Sequence, residues 1–255
     1  GGGPNFFTDN RIRDVLRGAV SDWGEGLFAR NHVNGIGVAE PNAAGYAALA
    51  FACYSDNCEI RDNTFERFKT TNFYQLQTNS NGVLITGNKY RHGSISYGSS
   101  MYLIRDSAYS LIEGEEYFGL WGAGNNAFIR MQPGWGGIQK PTLIYRKNRG
   151  VIANGGAAGG SATSVLQIEN TNSDTTRPDD YKQVILAENV LQSRDSNTCL
   201  LWLEDNVTDA SAVTSNQAMT RVDVVRLNDA PVLDNTVNLS LASVVPTVSD
   251  TAPTG

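Results

Sequence analysis

The stretch Ile60-Arg61-Asp62-Asn63-Thr64-Phe65 decides the fold, because its pattern, apolar-x-x-Asn-x-apolar, returns along the chain. The pattern occupies residues 28–33, 60–65, 85–90, 186–191 and 232–237, and at 145–148 its second apolar residue is delayed to Val151. Residues 112–117 keep the pattern with Glu115 in place of asparagine. Successive polar positions are 32, 25, 27, 33, 41 and 46 residues apart. Periods of about 20 to 50 residues indicate a repeat architecture, so we expect one coil stacked on itself.

Short stretches of alternating apolar and polar residues occur between the repeated polar positions. Examples are Tyr102-Leu103-Ile104-Arg105 and Leu166-Gln167-Ile168-Glu169, and period-two alternation is typical of half-buried strands. With the strands before and after each polar position, they predict three short strands per coil. Asparagine suits the corner because it tolerates the left-handed conformation, and because its amide can bond neighbouring backbone and its counterpart on the next coil.

This combination resembles the right-handed parallel β-helix of the pectate-lyase-like superfamily over about residues 12–240. The resemblance implies an all-β fold: a single-stranded right-handed parallel β-helix (solenoid) with three short strands per coil and an asparagine ladder. Each coil of a solenoid contacts only its neighbours. We therefore expect an N-terminal segment at residues 1–11, a parallel β-helix domain at 12–240 and a C-terminal linker to a further module at 241–255.

Residues 241–255, which contain several Pro and Thr, resemble the exit linkers of bacteriophage tailspikes and tail fibres. That resemblance implies a location in the virion tail, a homotrimer, contacts with other phage tail proteins and binding of bacterial capsular or O-antigen polysaccharide. It also implies depolymerase activity, with glycoside hydrolysis favoured over lyase chemistry. Two alternatives stay open: a non-catalytic receptor-binding or structural shaft module, and a secreted bacterial polysaccharide lyase.

Composition argues against several classes of partner. The net charge is −6 and the pI is near 5.0, which disfavours nucleic acid because phosphate binding needs clustered Lys and Arg. No run approaches the ~18 apolar residues of a membrane span, so membrane insertion is not expected. Only two histidines, His32 and His92, occur, which disfavours a His-rich zinc site. The prediction is no metal and no cofactor, with Ca²⁺ expected only if the protein is a lyase.

The three cysteines, Cys53, Cys58 and Cys199, form a sparse and odd set. Cys53 falls at an inward strand position and Cys58 lies beside a turn, which favours buried thiols. A disulfide between Cys53 and Cys58 is the open alternative.

Two acidic residues that end strands on successive predicted coils are the candidate catalytic pair, Glu169 and Glu204. Parallel coils stack about 4.8 Å apart, so matched outward positions form a column. Its predicted members are Gln77, Arg105, Arg130, Glu169 and Glu204. The two carboxyls would then approach the ~5 to 5.5 Å separation of retaining glycosidases, or the larger one of inverting enzymes. Like-charge proximity raises one pKa of such a pair and separates acid from base. Asp205 is an additional candidate, and ordinary solvated or ion-paired carboxylates are the alternative.

The candidate substrate-binding residues carry amide, guanidinium or indole groups, which suit sugars and their carboxylates: Gln77, Arg105, Arg130, Gln167, Trp202, Trp121 and Trp135. A second predicted column contains Gln75, Gln167 and Trp202. Arg105 and Arg130 could hold the carboxylates of an acidic glycan bidentately, and an indole presents an apolar plane to a sugar. Trp121 and Trp135 lie in glycine-rich loops. Packing of these side chains onto the coil or into a subunit interface is an equally supported alternative to sugar binding.

A second acidic cluster, Glu113-Gly114-Glu115-Glu116, includes the departure from the asparagine pattern. Glu115 together with Asp106 suggests a cation site, since Ca²⁺ takes several oxygen ligands. The alternative is that glutamate is simply tolerated at a solvated corner.

Overall fold

A computed structural model describes residues 5–15, 20–23, 25–38, 47–53, 56–76, 82–95, 100–105, 107, 109–118, 121–122, 127–132, 142–153, 164–168, 183–193, 199–203, 220–223, 226–227 and 230–239. The regular elements of these residues are all β-strands. The strands are β1 (Asn5–Thr8), β2 (Arg11–Arg13), β3 (Val20–Trp23), β4 (Gly26–Ala29), β5 (His32–Asn34), β6 (Ala47–Cys53), β7 (Cys58–Arg61), β8 (Thr64–Glu66), β9 (Lys69–Leu76), β10 (Val83–Thr86), β11 (Lys89–Arg91), β12 (Ser94–Ile95), β13 (Tyr102–Arg105), β14 (Ser110–Glu113), β15 (Glu116–Phe118), β16 (Trp121–Gly122), β17 (Ile129–Gln132), β18 (Thr142–Arg146), β19 (Arg149–Ala153), β20 (Ser164–Ile168), β21 (Gln183–Ser193), β22 (Cys199–Leu203), β23 (Thr220–Asp223), β24 (Arg226–Leu227) and β25 (Ala230–Leu239).

A 15-stranded sheet contains two series of parallel strands that meet in the long strand β21. The first series is β1, β4, β7, β10, β14, β18 and the start of β21. The second series is β2, β5, β8, β11, β15, β19 and the end of β21. Consecutive members of a series are separated in the chain by strands of the other sheet, so the chain returns to each series repeatedly.

A 10-stranded sheet holds the third series, β3, β6, β9, β13, β17, β20 and β22, again parallel throughout. The short strands β12 and β16 continue from the start of β9. The described part of the chain is therefore all-β, with parallel strands in stacked sheets. This architecture is consistent with a β-solenoid.

One register runs through each series and keeps the apolar positions of the repeat inside. In the first series the aligned residues are Phe28, Ile60, Ile85, Ile112, Tyr145 and Leu186, all buried. In the second series they are Val33, Phe65, Tyr90, Tyr117, Gly150 and Leu191. A slip of one residue would turn every one of these side chains outward, so burial fixes the register.

Aromatic rings stack along the core at the spacing of the strands. Tyr74 and Tyr102 lie 5.2 Å apart and nearly parallel, and Tyr90 and Tyr117 lie 5.3 Å apart in the neighbouring series. Offset stacking of this kind adds about 0.5–1.5 kcal/mol per pair beyond the area it buries. The core therefore contains ordered stacks of aromatic rings beside its aliphatic residues.

The turn before each repeated polar residue corrects one expectation. The left-handed conformation lies at the preceding residue, with φ of 55° at Arg30, 56° at Asp62 and 56° at Lys147. Gly87 and Gly114 occupy the same position before Asn88 and Glu115 and also have positive φ. The repeated asparagines are absent from the left-handed residues of the described chain, so the expectation that asparagine suits this corner because it tolerates that conformation is wrong.

The two ends of the described chain differ from the predicted repeat. Phe7-x-x-Asn10-x-Ile12 is a further copy of the pattern that sequence reading missed, and its strands β1 and β2 pair in parallel with β4 and β5. At the other end, the prediction that the copy at 232–237 forms a further parallel coil is wrong. It lies in β25, which pairs antiparallel with β21, so that Asn235 faces Asn189. Strand β23 likewise runs antiparallel to β22.

Candidate functional site

The repeated polar residues form one hydrogen-bonded polar column, whose described members are Asn10, Asn31, Asn63, Asn88, Glu115, Asn148 and Asn189. Asn63 shows the pattern: its Oδ1 accepts from the backbone N–H of Asn31 at 2.8 Å and from Asn31 Nδ2 at 3.1 Å. Its Nδ2 donates to Phe28 O and to Asn88 Oδ1, both at 2.9 Å. Each amide therefore supplies the buried backbone with partners that it would otherwise lack.

Glu115 takes the place of an amide in the polar column and is 0% exposed. Its Oε1 accepts from the backbone N–H of Asn88 at 2.9 Å and from Asn88 Nδ2 at 3.1 Å. Its Oε2 accepts from the hydroxyls of Tyr90 and Tyr102. The expectation of a glutamate tolerated at a solvated corner is wrong, because the carboxyl points into the core.

Five buried tyrosines surround this carboxyl: Tyr74, Tyr90, Tyr102, Tyr117 and Tyr145. The hydroxyls of Tyr74 and Tyr90 lie 2.8 Å apart, as do those of Tyr102 and Tyr117. Tyr145 donates to the Tyr117 hydroxyl at 3.2 Å. The acid and the phenols form a connected polar network inside an aromatic core, a feature that a period-two pattern does not reveal because tyrosine counts there as apolar.

Burial raises the pKa of Glu115 to about 8, and the hydrogen bonds from Tyr90, Asn88 and Tyr102 lower it only in part. Burial also raises the pKa of the Tyr90 and Tyr102 phenols well above the ordinary value, and the nearby Glu115 adds to the shift. At neutral pH the site is therefore a neutral acid among neutral phenols. In that state the Glu115 carboxyl has a proton and can act as a donor as well as an acceptor.

The strand register decides which of the predicted ligand residues share a position on the 10-stranded sheet. Gln75, Leu103, Arg130, Gln167 and Trp202 are aligned on successive strands. The backbone register thus aligns Gln75, Gln167 and Trp202, the residues of the predicted second column. Leu103, at 4% exposed, interrupts it with a covered apolar residue.

The predicted alignment of Arg105 with Arg130 is wrong. Arg105 pairs with Gln132, and Arg130 pairs with Leu103, two positions earlier on its strand. Both arginines are half-buried. Because residues two apart on a strand point to the same face, Arg105 and Arg130 share a face but occupy different columns.

Several predicted site residues cannot be placed. Glu169, Glu204, Asp205, Gln77 and Trp135 lie outside the described residues. The backbones of Gln167, Trp202 and Trp121 belong to β20, β22 and β16, and their side chains are not described. The catalytic pair and most of the candidate sugar-binding groups therefore remain predictions.

The acidic side chains of the second cluster have separate surroundings. Glu113 lies 2.9 Å from Arg146 and 3.1 Å from Lys147, and these neighbours hold the pKa of its carboxyl below the ordinary value. Glu116 contacts Arg149 and, at 3.8 Å, Lys89. Asp106 lies outside the described residues. Within the described segments no group of three or more His, Cys, Asp or Glu side chains could hold a metal ion.

An apolar stripe follows the outward face of the first series. Its seven register-matched residues are Phe6, Leu27, Glu59, Leu84, Leu111, Ile144 and Ile185. All of them except Glu59 are apolar. Phe6 is 71% exposed and the others are half-buried. Seven strands at the spacing of parallel sheets make the stripe about 29 Å long. A continuous apolar feature of that length, rather than scattered single residues, is typical of an interaction surface.

The outward face of the second series is different, because charged residues cover most of it. His32 and Arg91 contact Glu66, and Lys89 and Arg149 contact Glu116. Towards the end of this series a groove of about 480 Å³ is lined by Glu116, Phe118, Arg149, Gly150, Val151, Val190 and Leu191. The groove is open and shallow beside the ion pairs.

Cys53 and Cys58 are free and buried, as the sequence favoured. A hydrogen bond with Cys58, together with burial, raises the pKa of the Cys53 thiol well above the ordinary value. Both thiols are therefore shielded from solvent. The side chain of Cys199 is not described.

None of the described residues belongs to a helix long and apolar enough to cross a membrane. Comparison of the chain with protein-family models, with curated proteins and with solved structures returns no match.

Proposed function

We propose that this chain is a right-handed parallel β-helix with three strands per coil and an asparagine ladder, from a bacteriophage tailspike or tail fibre, that binds bacterial surface polysaccharide. The polar column supports the ladder, since each amide bonds both its counterpart and the backbone of the preceding strand. The resemblance to the pectate-lyase-like superfamily, drawn from the repeat, motivates the handedness and the source. The location that follows is the virion tail, among other tail proteins.

The observation that carries ligand binding is the aligned column on the 10-stranded sheet. Arg130 lies one strand from Gln167 and two strands from Trp202, at about 4.8 Å per strand. Amide, guanidinium and indole groups repeated at that spacing suit successive units of an acidic glycan, through bidentate hydrogen bonds and stacking on a sugar face. Arg105, on the same face, extends the proposed surface.

Depolymerisation by glycoside hydrolysis, with Glu169, Glu204 and Asp205 as the acidic residues, is the activity proposed for this surface. A specific observation favours the non-catalytic alternative for the described part of the chain. Glu113 and Glu116, the half-buried acids of the second cluster, are both held by Arg or Lys. Paired carboxylates are what a receptor-binding or shaft module is expected to carry.

The test is incubation of the protein with a panel of capsular and O-antigen polysaccharides, followed by product sizing and absorbance near 235 nm. Shorter products without that absorbance identify a hydrolase, and products with it identify a lyase. Glu169→Gln and Glu204→Gln are expected to abolish cleavage and retain binding, with Glu116→Gln as the matched control. Cleavage that survives both substitutions would remove the catalytic assignment.

Binding has its own variant pair. Arg130→Ala is expected to weaken glycan binding at least tenfold, because it removes a bidentate partner of an acidic sugar. Arg11→Ala, an exposed arginine on the second series, is the control and is expected to bind as the parent chain does. Equal affinity of both variants, or no affinity of the parent for any polysaccharide, would contradict the proposed surface.

Homotrimer formation is proposed through the apolar stripe. Apolar residues that recur on every strand but one can pack against the same residues of two further copies around a threefold axis. Sedimentation analysis is expected to give a trimer for the parent chain and a monomer for the double variant Leu111→Glu, Ile144→Glu. Thr64→Glu, on the charged second series, should leave the trimer intact. A parent chain that sediments as a monomer would refute the assignment of the stripe.

A further inference from the structure

At Glu115 the polar column changes from an amide to an ionisable acid. An asparagine in the column uses its Nδ2 group to donate, as Asn88 Nδ2 does to Ile60 O at 3.0 Å. Glu115 can donate only while it is protonated, because a carboxylate is an acceptor on both oxygens. The capacity of this one position to donate a hydrogen bond therefore depends on a proton.

We propose that Glu115 is a proton-operated lock: as a neutral acid it closes the hydrogen-bond network that joins β11, β13 and β15, and loss of its proton loosens the stack at this level. The lock is independent of the proposed polysaccharide binding. It rests on the complete burial of the carboxyl and on its contacts with Asn88, Tyr90 and Tyr102.

The surroundings of the carboxyl decide the direction of the response. The titratable groups that face it are phenols from five strands, β9, β11, β13, β15 and β18: Tyr74, Tyr90, Tyr102, Tyr117 and Tyr145. The neighbouring acids, Glu113 on β14 and Glu116 on β15, are each held by Arg or Lys partners of their own. An ionised Glu115 would thus be a buried negative charge stabilised only by neutral donors, which is costly.

The sign of the pH dependence follows. The pKa of Glu115 is raised from 4.5 to about 8 on folding, so the folded chain keeps a proton that the unfolded chain has released. Stability from this group is fully present below pH 4.5 and is lost as the pH rises towards 8. One retained proton changes the unfolding equilibrium constant about tenfold per pH unit within that window.

The experiment measures the unfolding equilibrium constant in urea between pH 5.5 and 7.5 for the parent chain, Glu115→Gln and Glu116→Gln. Glutamine has the shape of the neutral acid and keeps its donor and acceptor at every pH. We expect the unfolding equilibrium constant to rise with pH equally in the parent and in Glu116→Gln. This rise should exceed the rise in Glu115→Gln by about tenfold per pH unit, or roughly a hundredfold over the window. All three chains share both histidines, so the contribution of the histidines to the pH dependence cancels when the chains are compared.

A second measurement uses the parent chain alone, so that it does not depend on the folding of a variant. Carbon-13 NMR of the glutamate side-chain carboxyls should show one resonance titrating near pH 8, well apart from the others. Amide exchange at Asn88, whose N–H donates to Glu115, should accelerate beyond the intrinsic effect of pH as that resonance shifts. A Glu115 carboxyl that titrates near 4.5, or a Glu115→Gln chain with the same pH dependence as the parent, would overturn the lock.

Discussion

Replacing Asn63 with alanine tests whether the polar column holds the strands together. The Asn63 side chain is 1% exposed and makes four hydrogen bonds, two with Asn31 and one each with Phe28 and Asn88. Alanine removes all four and leaves the Asn31 backbone N–H and the Phe28 carbonyl without these partners. These groups cannot reach water without a rearrangement of the strands.

The size of the effect follows from these contacts. A buried hydrogen bond contributes a net ~1 kcal/mol, and a buried backbone group left without a partner costs about 1–3 kcal/mol. Asn63→Ala is therefore expected to lower the free energy of unfolding by about 3–5 kcal/mol. That is a large share of the 5–15 kcal/mol that typically stabilises a folded protein.

The assay is urea unfolding followed by circular dichroism and tryptophan fluorescence, with free energies compared where the two transitions coincide. Asn34→Ala is the matched control, because Asn34 makes its hydrogen bonds with Glu66 and Arg67 on the half-buried outer face. Its expected cost is below about 1 kcal/mol, since partners there can turn to water. A loss below about 1 kcal/mol for Asn63→Ala would refute the role given to the column.

Three further predictions concern packing, surface charge and thiol chemistry. Gly150→Ala should destabilise the chain by several kcal/mol, because Gly150 has a φ of 124° and a Cβ there would lie 2.1 Å from Tyr117 O; equal urea midpoints for this variant and the parent would contradict the close approach. Arg149→Ala should change the free energy of unfolding by less than about 1 kcal/mol despite its contact with Glu116, because Arg149 is largely exposed; a larger loss would mean that the ion pair is structural. In a Cys199→Ser background, Cys53 and Cys58 should react with a thiol reagent only after denaturant is added. Both thiols are buried and the pKa of the Cys53 thiol is raised. Rapid labelling of the folded chain would show that this part of the core is open.

The repeat pattern predicted the strands well because it reports burial directly. Residues such as Ile60 and Phe65 are apolar on both sides of a fixed polar position, and both are buried. The left-handed turn residue was not predictable in the same way. Arg30, Asp62 and Lys147 share that conformation and no chemical type, since the turn is imposed by the strands on each side of it.

The candidate site was less predictable for two physical reasons. The alignment of Arg105 and Arg130 depends on the register between strands that are joined by long segments of variable length, and counting residues cannot supply that register. The burial of Glu115 depends on five phenols from five different strands. A glutamate between Gly114 and Glu116 carries no local sign that its carboxyl turns inward.

The constant register of the strands has a consequence for how such a chain can change. Asn88 lies 25 positions after Asn63 and Asn189 lies 41 positions after Asn148, yet both pairs meet through the same amide contacts. Additional length is thus absorbed between strands without altering the scaffold. Such a molecule can exchange its intervening segments one at a time and acquire new recognition properties. The stacked rings and the amides of the core keep their positions when it does so.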